Sequence, residues 1–285
     1  MAFMSIAGQD WIDMKRYIIP LGLLLSLAGC ASQQVTVNAD AERKPPEGAL
    51  SVFSTGPAGT LPAGWEPMIL LRNKKQTHYE LVNKDDTTVL YARAESASSG
   101  LMHKVDIDAE QQQWLHWRWK ITSLVNTADN TKRATEDSPV RVILGFDGDK
   151  DSMPFADQVL FETARVVTGY EFPYATLMYI WENNKPVGTV IGSTYTSRIK
   201  MMVAESGSDG IGEWRSFTRN IVEDFEKAFG EKPGRLIGVG VLTDTDNTGE
   251  SAEAWYGDIR LLRERLARAD TPEAGQQPLS LSQRK

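Results

Sequence analysis

Apolar and polar residues alternate with a period of two through much of the chain. In WLHWRWKIT, residues 114–122, Leu115, Trp117, Trp119 and Ile121 fall on one side, and Trp114, His116, Arg118 and Lys120 on the other. Such alternation predicts a strand with one buried face. Comparable runs occupy 77–83, 87–94, 101–107, 139–146, 175–181, 198–204, 236–242 and 252–262. Many short strands separated by Gly, Asn, Asp and Pro turns predict a mainly β chain folded as a β-sandwich or jelly roll.

Two segments break that rhythm. In RNIVEDFEKAFGEKPG, residues 219–234, Ile221, Val222, Phe225, Ala228 and Phe229 recur at helical spacing. Asn220 stands where a cap belongs, Glu223 supports it, and Gly230 with Pro233 marks the stop. In FADQVLFETARVVTG, residues 155–169, Phe155, Val159, Leu160, Ala164 and Val167 share one helical face, with Gly169 at the end. The expectation is about two helices packed on or beside the sheets. The second segment also reads as a strand through QVLFETARVV.

One apolar run does not belong to the sandwich. Residues 17–29, YIIPLGLLLSLAG, follow Lys15 and Arg16 and end in small residues just before Cys30, the only cysteine. A basic start, a short apolar middle and a small-residue end describe a secretory leader. The run is too short for a membrane span, which needs about 20 apolar residues. Leu27-Ala28-Gly29-Cys30 resembles the lipobox of bacterial lipoproteins. That resemblance implies cleavage before Cys30 and acylation of its thiol, palmitate included, with several chains anchoring the protein firmly. Ala31 and Ser32 follow, with no Asp, which by resemblance to lipoprotein sorting implies the outer membrane, facing the periplasm. Met1 and Met14 both remain as starts, MKRYIIPLG being the more typical leader opening.

These features divide the chain into a leader at 1–29, a flexible polar tether at 30–48, a β-sandwich at 49–263 and a polar disordered tail at 264–285. Hydrophobic residues make up 41% and charged ones 24%, which is ordinary for a globular domain. The net charge of −7 argues against nucleic acid, whose phosphates need a basic surface. After Cys30 there is no cysteine, so packing alone holds the domain together.

The segments WLHWRWKI, PVRVILGFDGD, TLMYIW and EWRSFTRNIVEDFEKAFGEKPGRLIGVGVLTDTDNTGESAEAWYGDI resemble the bacterial family named domain of unknown function 3047, from about residue 64 to 262. That family brings no activity with it. It implies a fold similar to galactose-binding-like jelly rolls, and AWYGDIRL resembles their closing strand.

Candidate chemistry lies in two acidic loops. FDGDKD carries Asp147, Asp149 and Asp151, and TDTDNTGE carries Asp244, Asp246 and Thr248. Carboxylates at alternate positions of a tight loop suit calcium. Both depart from the helix-loop-helix calcium pattern, with Trp255 and Gln158 where the last ligand belongs. Plain turn chemistry is the competing reading, and an acid–base Asp pair is the third. Trp114 and Trp255, each near a loop, are candidates to stack on a sugar ring.

His78, His103 and His116 lack zinc spacing and read as solvated strand residues. Glu136 and Asp137 ahead of Arg141 read as a surface ion pair. GxSxG, HExxH, P-loop and GxGxxG patterns are absent. The expected function is therefore non-catalytic binding of a glycan or another envelope component by a lipid-anchored protein, with no obligatory cofactor. The alternative is a carbohydrate-active hydrolase using Asp residues of the two loops.

Overall fold

The computed structural model describes residues 50–69 and 73–266. Cys30, the leader, the tether up to residue 48 and most of the expected tail lie outside the described residues. Among the described residues, thirteen strands, numbered in chain order, form two sheets. The seven-stranded sheet runs β1 (Trp65–Met68), β4 (Ser98–Ile107), β11 (Leu236–Asp244), β6 (Ser138–Phe146), β7 (Ala175–Glu182), β9 (Ile199–Ser206) and β8 (Val190–Gly192). The six-stranded sheet runs β10 (Arg215–Asn220), β5 (Trp114–Ile121), β12 (Ser251–Tyr256), β3 (Thr87–Glu95) and β2 (His78–Lys84), with β13 (Arg260–Leu262) also on β5. All pairs are antiparallel except β7 with β9. The chain is a mainly β, jelly-roll-like sandwich with two α-helices, α1 (Phe155–Thr168) and α2 (Ile221–Phe229).

The alternation in β5 explains the core. Leu115, Trp117, Trp119 and Ile121 are fully buried, while Trp114, His116, Arg118 and Lys120 are only half-buried. Trp117 lies between Tyr179 of β7, at 4.7 Å, and Phe217 of β10, at 5.0 Å. Facing residues Val140, Val142, Leu144 and Phe146 of β6 join the same cluster. Tyr256 of β12 links the sheets: its hydroxyl donates to the Leu242 carbonyl at 2.9 Å and accepts the Arg141 amide at 3.3 Å.

The second helix follows its sequence signals. Asn220 Oδ1 accepts the amides of Val222 and Glu223, and Gly230 closes the helix at φ 75°, where a residue with a Cβ is disfavoured. Ile221 and Phe225 are buried beneath it.

Several expectations need correction. The 252–262 run is two strands, because Gly257, Asp258 and Ile259 interrupt it between β12 and β13. Strands β1, β8 and β10 were not evident in the alternation, being short or mixed in polarity. β6 does not alternate in burial, since all nine of its residues are buried.

Helix α1 exists and ends at Gly169 in the left-handed region, but it docks by another side than its apolar pattern predicts. Asp157 and Phe161 are buried, whereas Phe155, Val159, Leu160 and Val167 are exposed. Asp157 accepts hydrogen bonds from Ser197, and Phe161 stacks on Phe172 at 5.3 Å. Those two contacts set the rotation of the helix. Among the described residues, no helix is long and apolar enough to cross a membrane.

Candidate ligand platform and acidic cluster

A tight hairpin builds one end of the candidate site. Between β2 and β3 the chain turns through Asp85 (φ 49°) and Asp86 (φ 60°). Positive φ at both central positions is the type I′ geometry, whose twist matches the flanking strands and which usually employs Asn-Gly. Holding two carboxylate residues there carries strain, a feature that concentrates at functional sites. The turn aims Asp85 at the six-stranded sheet, where it accepts the Trp214 indole N–H at 2.8 Å and lies 3.8 Å from Lys120 Nζ. That indole bond, together with the charges of Lys120, Lys84 and Arg118, holds the Asp85 carboxyl below its ordinary range.

Strand register carries the platform onward. Trp255 of β12 pairs with Tyr91 of β3 on one side and with Lys120 of β5 on the other. The Tyr91 and Trp255 rings are 5.5 Å apart, and Lys84 Nζ sits 4.0 Å above Trp255. Arg118 Cζ lies 4.5 Å over the Trp214 ring. Gly257 makes room for it, since a Cβ there would fall 2.5 Å from Arg118 Cγ. Tyr91 donates to Glu253 at 2.8 Å, and burial with that carboxylate pushes its hydroxyl up to about 12. It is therefore a neutral donor at physiological pH. The outward face thus presents half-buried aromatic rings, each beside a cation or a polar tip, which is the composition of a binding surface.

Trp114 shares this outer face but not this end. Six steps along β5 place it about 20 Å from Lys120, next to Asn220 and Leu262, with Arg265 Cζ 5.5 Å from its ring. His116, two residues on, bonds Thr218 at 3.0 Å, and burial lowers its pKa. His103 is not solvated as expected: it is buried, edge-on to Trp65 at 5.6 Å, with Nδ1 2.8 Å from the Lys104 carbonyl.

The acidic loops separate. Asp244 ends β11 opposite Ser138, whereas Asp147 follows Phe146 at the other end of β6. Eight steps of strand, about 26 Å, lie between those ends. Acid–base pairs in glycoside hydrolysis stand about 5–9.5 Å apart, so the hydrolase that draws on both loops is ruled out. In the first loop, Asp147 caps the Gly148 amide and Asp149 caps that of Asp151, all exposed. That is turn chemistry.

The second loop is more organised. Asp244 and Asp246 join Asp137, with oxygens of all three within 4.8 Å of one another. Each carboxylate already has partners. Arg141 grips Asp244 through Nε at 3.0 Å and Nη2 at 3.2 Å, and Ser138 N–H adds a third bond. Lys74 Nζ lies 2.8 Å from Asp246. The amides of Asn247 and Thr248 donate to Asp137. Thr248 Oγ1 accepts from Glu250 N–H at 3.3 Å, so it serves the loop itself. Arg141 is only 1% exposed and pairs with Asp244, not with Asp137, so the expected surface ion pair is in fact a buried one. Burial lifts the Asp244 carboxyl to about 6 against the pull of Arg141. Burial likewise raises Glu136, whose Oε2 has no hydrogen-bond partner among the described residues.

Sequence reasoning picked out Trp255 but missed Tyr91, Trp214, Lys84 and Asp85. The alternation of β3 placed Tyr91 outward, and the paired φ-demanding turn was readable as a hairpin. The meeting of these residues depends on strand order, which no local pattern encodes.

A family model described as "Protein of unknown function (DUF3047)" matches residues 63–260. No curated protein matches the chain. Among solved structures, a family 11 carbohydrate-binding module from Clostridium thermocellum, in complex with a β-1,3-1,4-mixed-linked tetrasaccharide, is 7% identical. The match covers 70% of this chain and 89% of that one, with a TM-score of 0.34. The family 11 module of the cellulase Lic26A-Cel5E of the same organism is 9% identical, covering 76% and 95%, with a TM-score of 0.35. The K2 cleaved adhesin domain of Lys-gingipain is 10% identical, covering 73% and 95%, with a TM-score of 0.35. At these scores the likeness carries no argument about what the sheets bind.

Proposed function

The chain belongs to the DUF3047 family of proteins of unknown function, and for this member we propose glycan binding on the outer face of the six-stranded sheet, by a protein held to the bacterial envelope through Cys30. The observation that supports the binding reading is the Tyr91–Trp255 ring pair, 5.5 Å apart, on a face that β-strand register keeps outward. Flat apolar rings with polar tips at their rims suit sugars, which offer C–H faces and hydroxyl edges. The role in this reading is binding without chemistry, since the two acidic loops are too far apart to act together as acid and base.

Titration of the full chain with envelope polysaccharides, read by calorimetry, tests this. Trp255→Ala with Tyr91→Ala is expected to lose at least tenfold in affinity, and unchanged affinity would refute the platform. The anchor is tested separately: Cys30→Ser is expected to release the protein from outer membranes, and full retention would refute lipidation. An envelope protein as partner is the second reading, favoured by the exposed Phe155, Val166 and Val167 of α1, at 80%, 73% and 75% exposure. Loss of a cross-linked envelope partner on Phe155→Ser, with glycan affinity intact, is the outcome that would support it.

A further inference from the structure

The platform carries a pattern of charge that a neutral sugar does not require. In a chain of net charge −7, most described cations are engaged by carboxylates. Lys75 pairs with Glu95, Lys150 with Glu171, Arg215 with Glu205 and Arg235 with Asp106. As with Arg133 over Tyr195 and Arg265 over Trp114, ring contacts replace ion pairs at Lys84 and Arg118. Neither forms an ion pair with a described carboxylate, and each lies over a tryptophan face, Trp255 at 4.0 Å and Trp214 at 4.5 Å. Lys120 stands between them on the same face of β5, paired with Trp255 in register and 3.8 Å from Asp85. Three cations, Lys84, Arg118 and Lys120, therefore gather beside Asp85 at this end of the sheet, while Glu253, which accepts from Tyr91, is approached by Arg93.

Two features fix that arrangement. The absence of a side chain at Gly257 admits the Arg118 stem, and the Trp214 indole bond pins Asp85, which in turn holds Lys120. An arginine held flat on an aromatic ring keeps its N–H fork free at the edge, where it matches a carboxylate in a bidentate manner. The cation–ring contact contributes stability of its own and puts no carboxylate on the guanidinium fork, which leaves its N–H groups open to an incoming anion.

We infer that the Trp255–Trp214 platform selects acidic glycans, a sugar ring stacking on the aromatic surface while its carboxylate is received by Arg118 and Lys84. This rests on the glycan reading above, and the test separates the two. The full chain is titrated with tetragalacturonate and with its fully methyl-esterified form, which keeps the rings and removes the charge. The acid is expected to bind at least tenfold tighter than the ester, with the difference shrinking as salt rises. Lys84→Gln with Arg118→Gln is expected to bring the ratio near one, with an unchanged far-ultraviolet circular dichroism spectrum showing that the sandwich is still folded. Gly257→Ala, which crowds Arg118 without deleting its charge, is expected to lower the ratio as well. Equal binding of acid and ester by the unaltered chain would overturn the acidic selection and leave the glycan reading standing. Acid preference persisting in the double variant would overturn its placement on Lys84 and Arg118. No binding of either form would overturn both readings.

Discussion

The two sheets turn quite different surfaces outward. Beyond its inner face, the seven-stranded sheet packs Met68, Ile143 and Leu242 in one buried group and Ile180, Ile191, Met201 and Val203 in another. Of its charged residues, Arg141 and Asp244 are buried and paired with each other, and the exposed Lys104 and Asp106 of β4 pair with Glu66 and Arg235. The six-stranded sheet leaves Tyr91, Trp255, Lys84 and Lys120 half-buried, and its Arg118 and Lys84 rest on rings instead of carboxylates. The lesson is that the same residue types serve structure where they are mutually satisfied and recognition where they are left open. A buried ion pair balances its own desolvation, while an exposed ring or an unneutralised guanidinium still has affinity to offer.

Several substitutions would break or sharpen that contrast. The largest expected effect belongs to Arg141→Ala or Asp244→Ala, which strands a buried charge and should cost about 3–5 kcal/mol in denaturant unfolding. A loss below about 1 kcal/mol would show that the pair is not buried as described. Next, Trp117→Ala, inside the core, should lose about 3–5 kcal/mol of stability. Trp255→Ala should leave stability within about 1 kcal/mol but weaken glycan binding tenfold, about 1.4 kcal/mol. Matching losses from the two tryptophans in either measurement would erase the distinction between the faces.

A smaller effect is expected at Asp258. Although burial pushes its carboxyl up, hydrogen bonds from Ser54 and the charge of Arg260 bring it below its ordinary range. A depressed carboxylate stabilises the fold above its unfolded value near pH 4 and loses that contribution as pH falls through the native value. Asp258→Asn should therefore cost about 1 kcal/mol at pH 7 and flatten the acid limb of a stability–pH curve. Asp244 has the opposite sign. Raised to about 6, its contribution is full below pH 4 and fades as pH climbs through 6, and a carboxyl chemical-shift titration centred below 4 would contradict that. Smallest of all is calcium. With Arg141 and Lys74 already neutralising Asp244 and Asp246, millimolar calcium should leave the melting temperature unchanged, and a rise of several degrees would reassign the cluster as a metal site.

Much of the sandwich was legible because alternation reports directly on which side of a strand is buried. β5 shows it most clearly, with Trp117 and Trp119 inward and Arg118 and Lys120 outward. The α2 boundaries were legible because Asn220 and Gly230 act locally. The face of α1 was not, since Asp157 and Phe161 dock through partners at Ser197 and Phe172 that are distant or irregular in sequence. Arg141 was misjudged for the same reason: its true partner lies 103 positions away, at Asp244. Trp255 was identified as a candidate, but the company it keeps is set by strand order, which brings β3, β12 and β5 side by side.

The most direct test of recognition by the six-stranded face is a nitrogen–proton spectrum of the tryptophan indoles during titration with an acidic oligosaccharide. The expected result is movement of the Trp255 and Trp214 signals while those of Trp117, Trp119 and Trp181 stay in place. Shifts confined to the buried three, or an unmoved Trp255 signal at saturation, would contradict it.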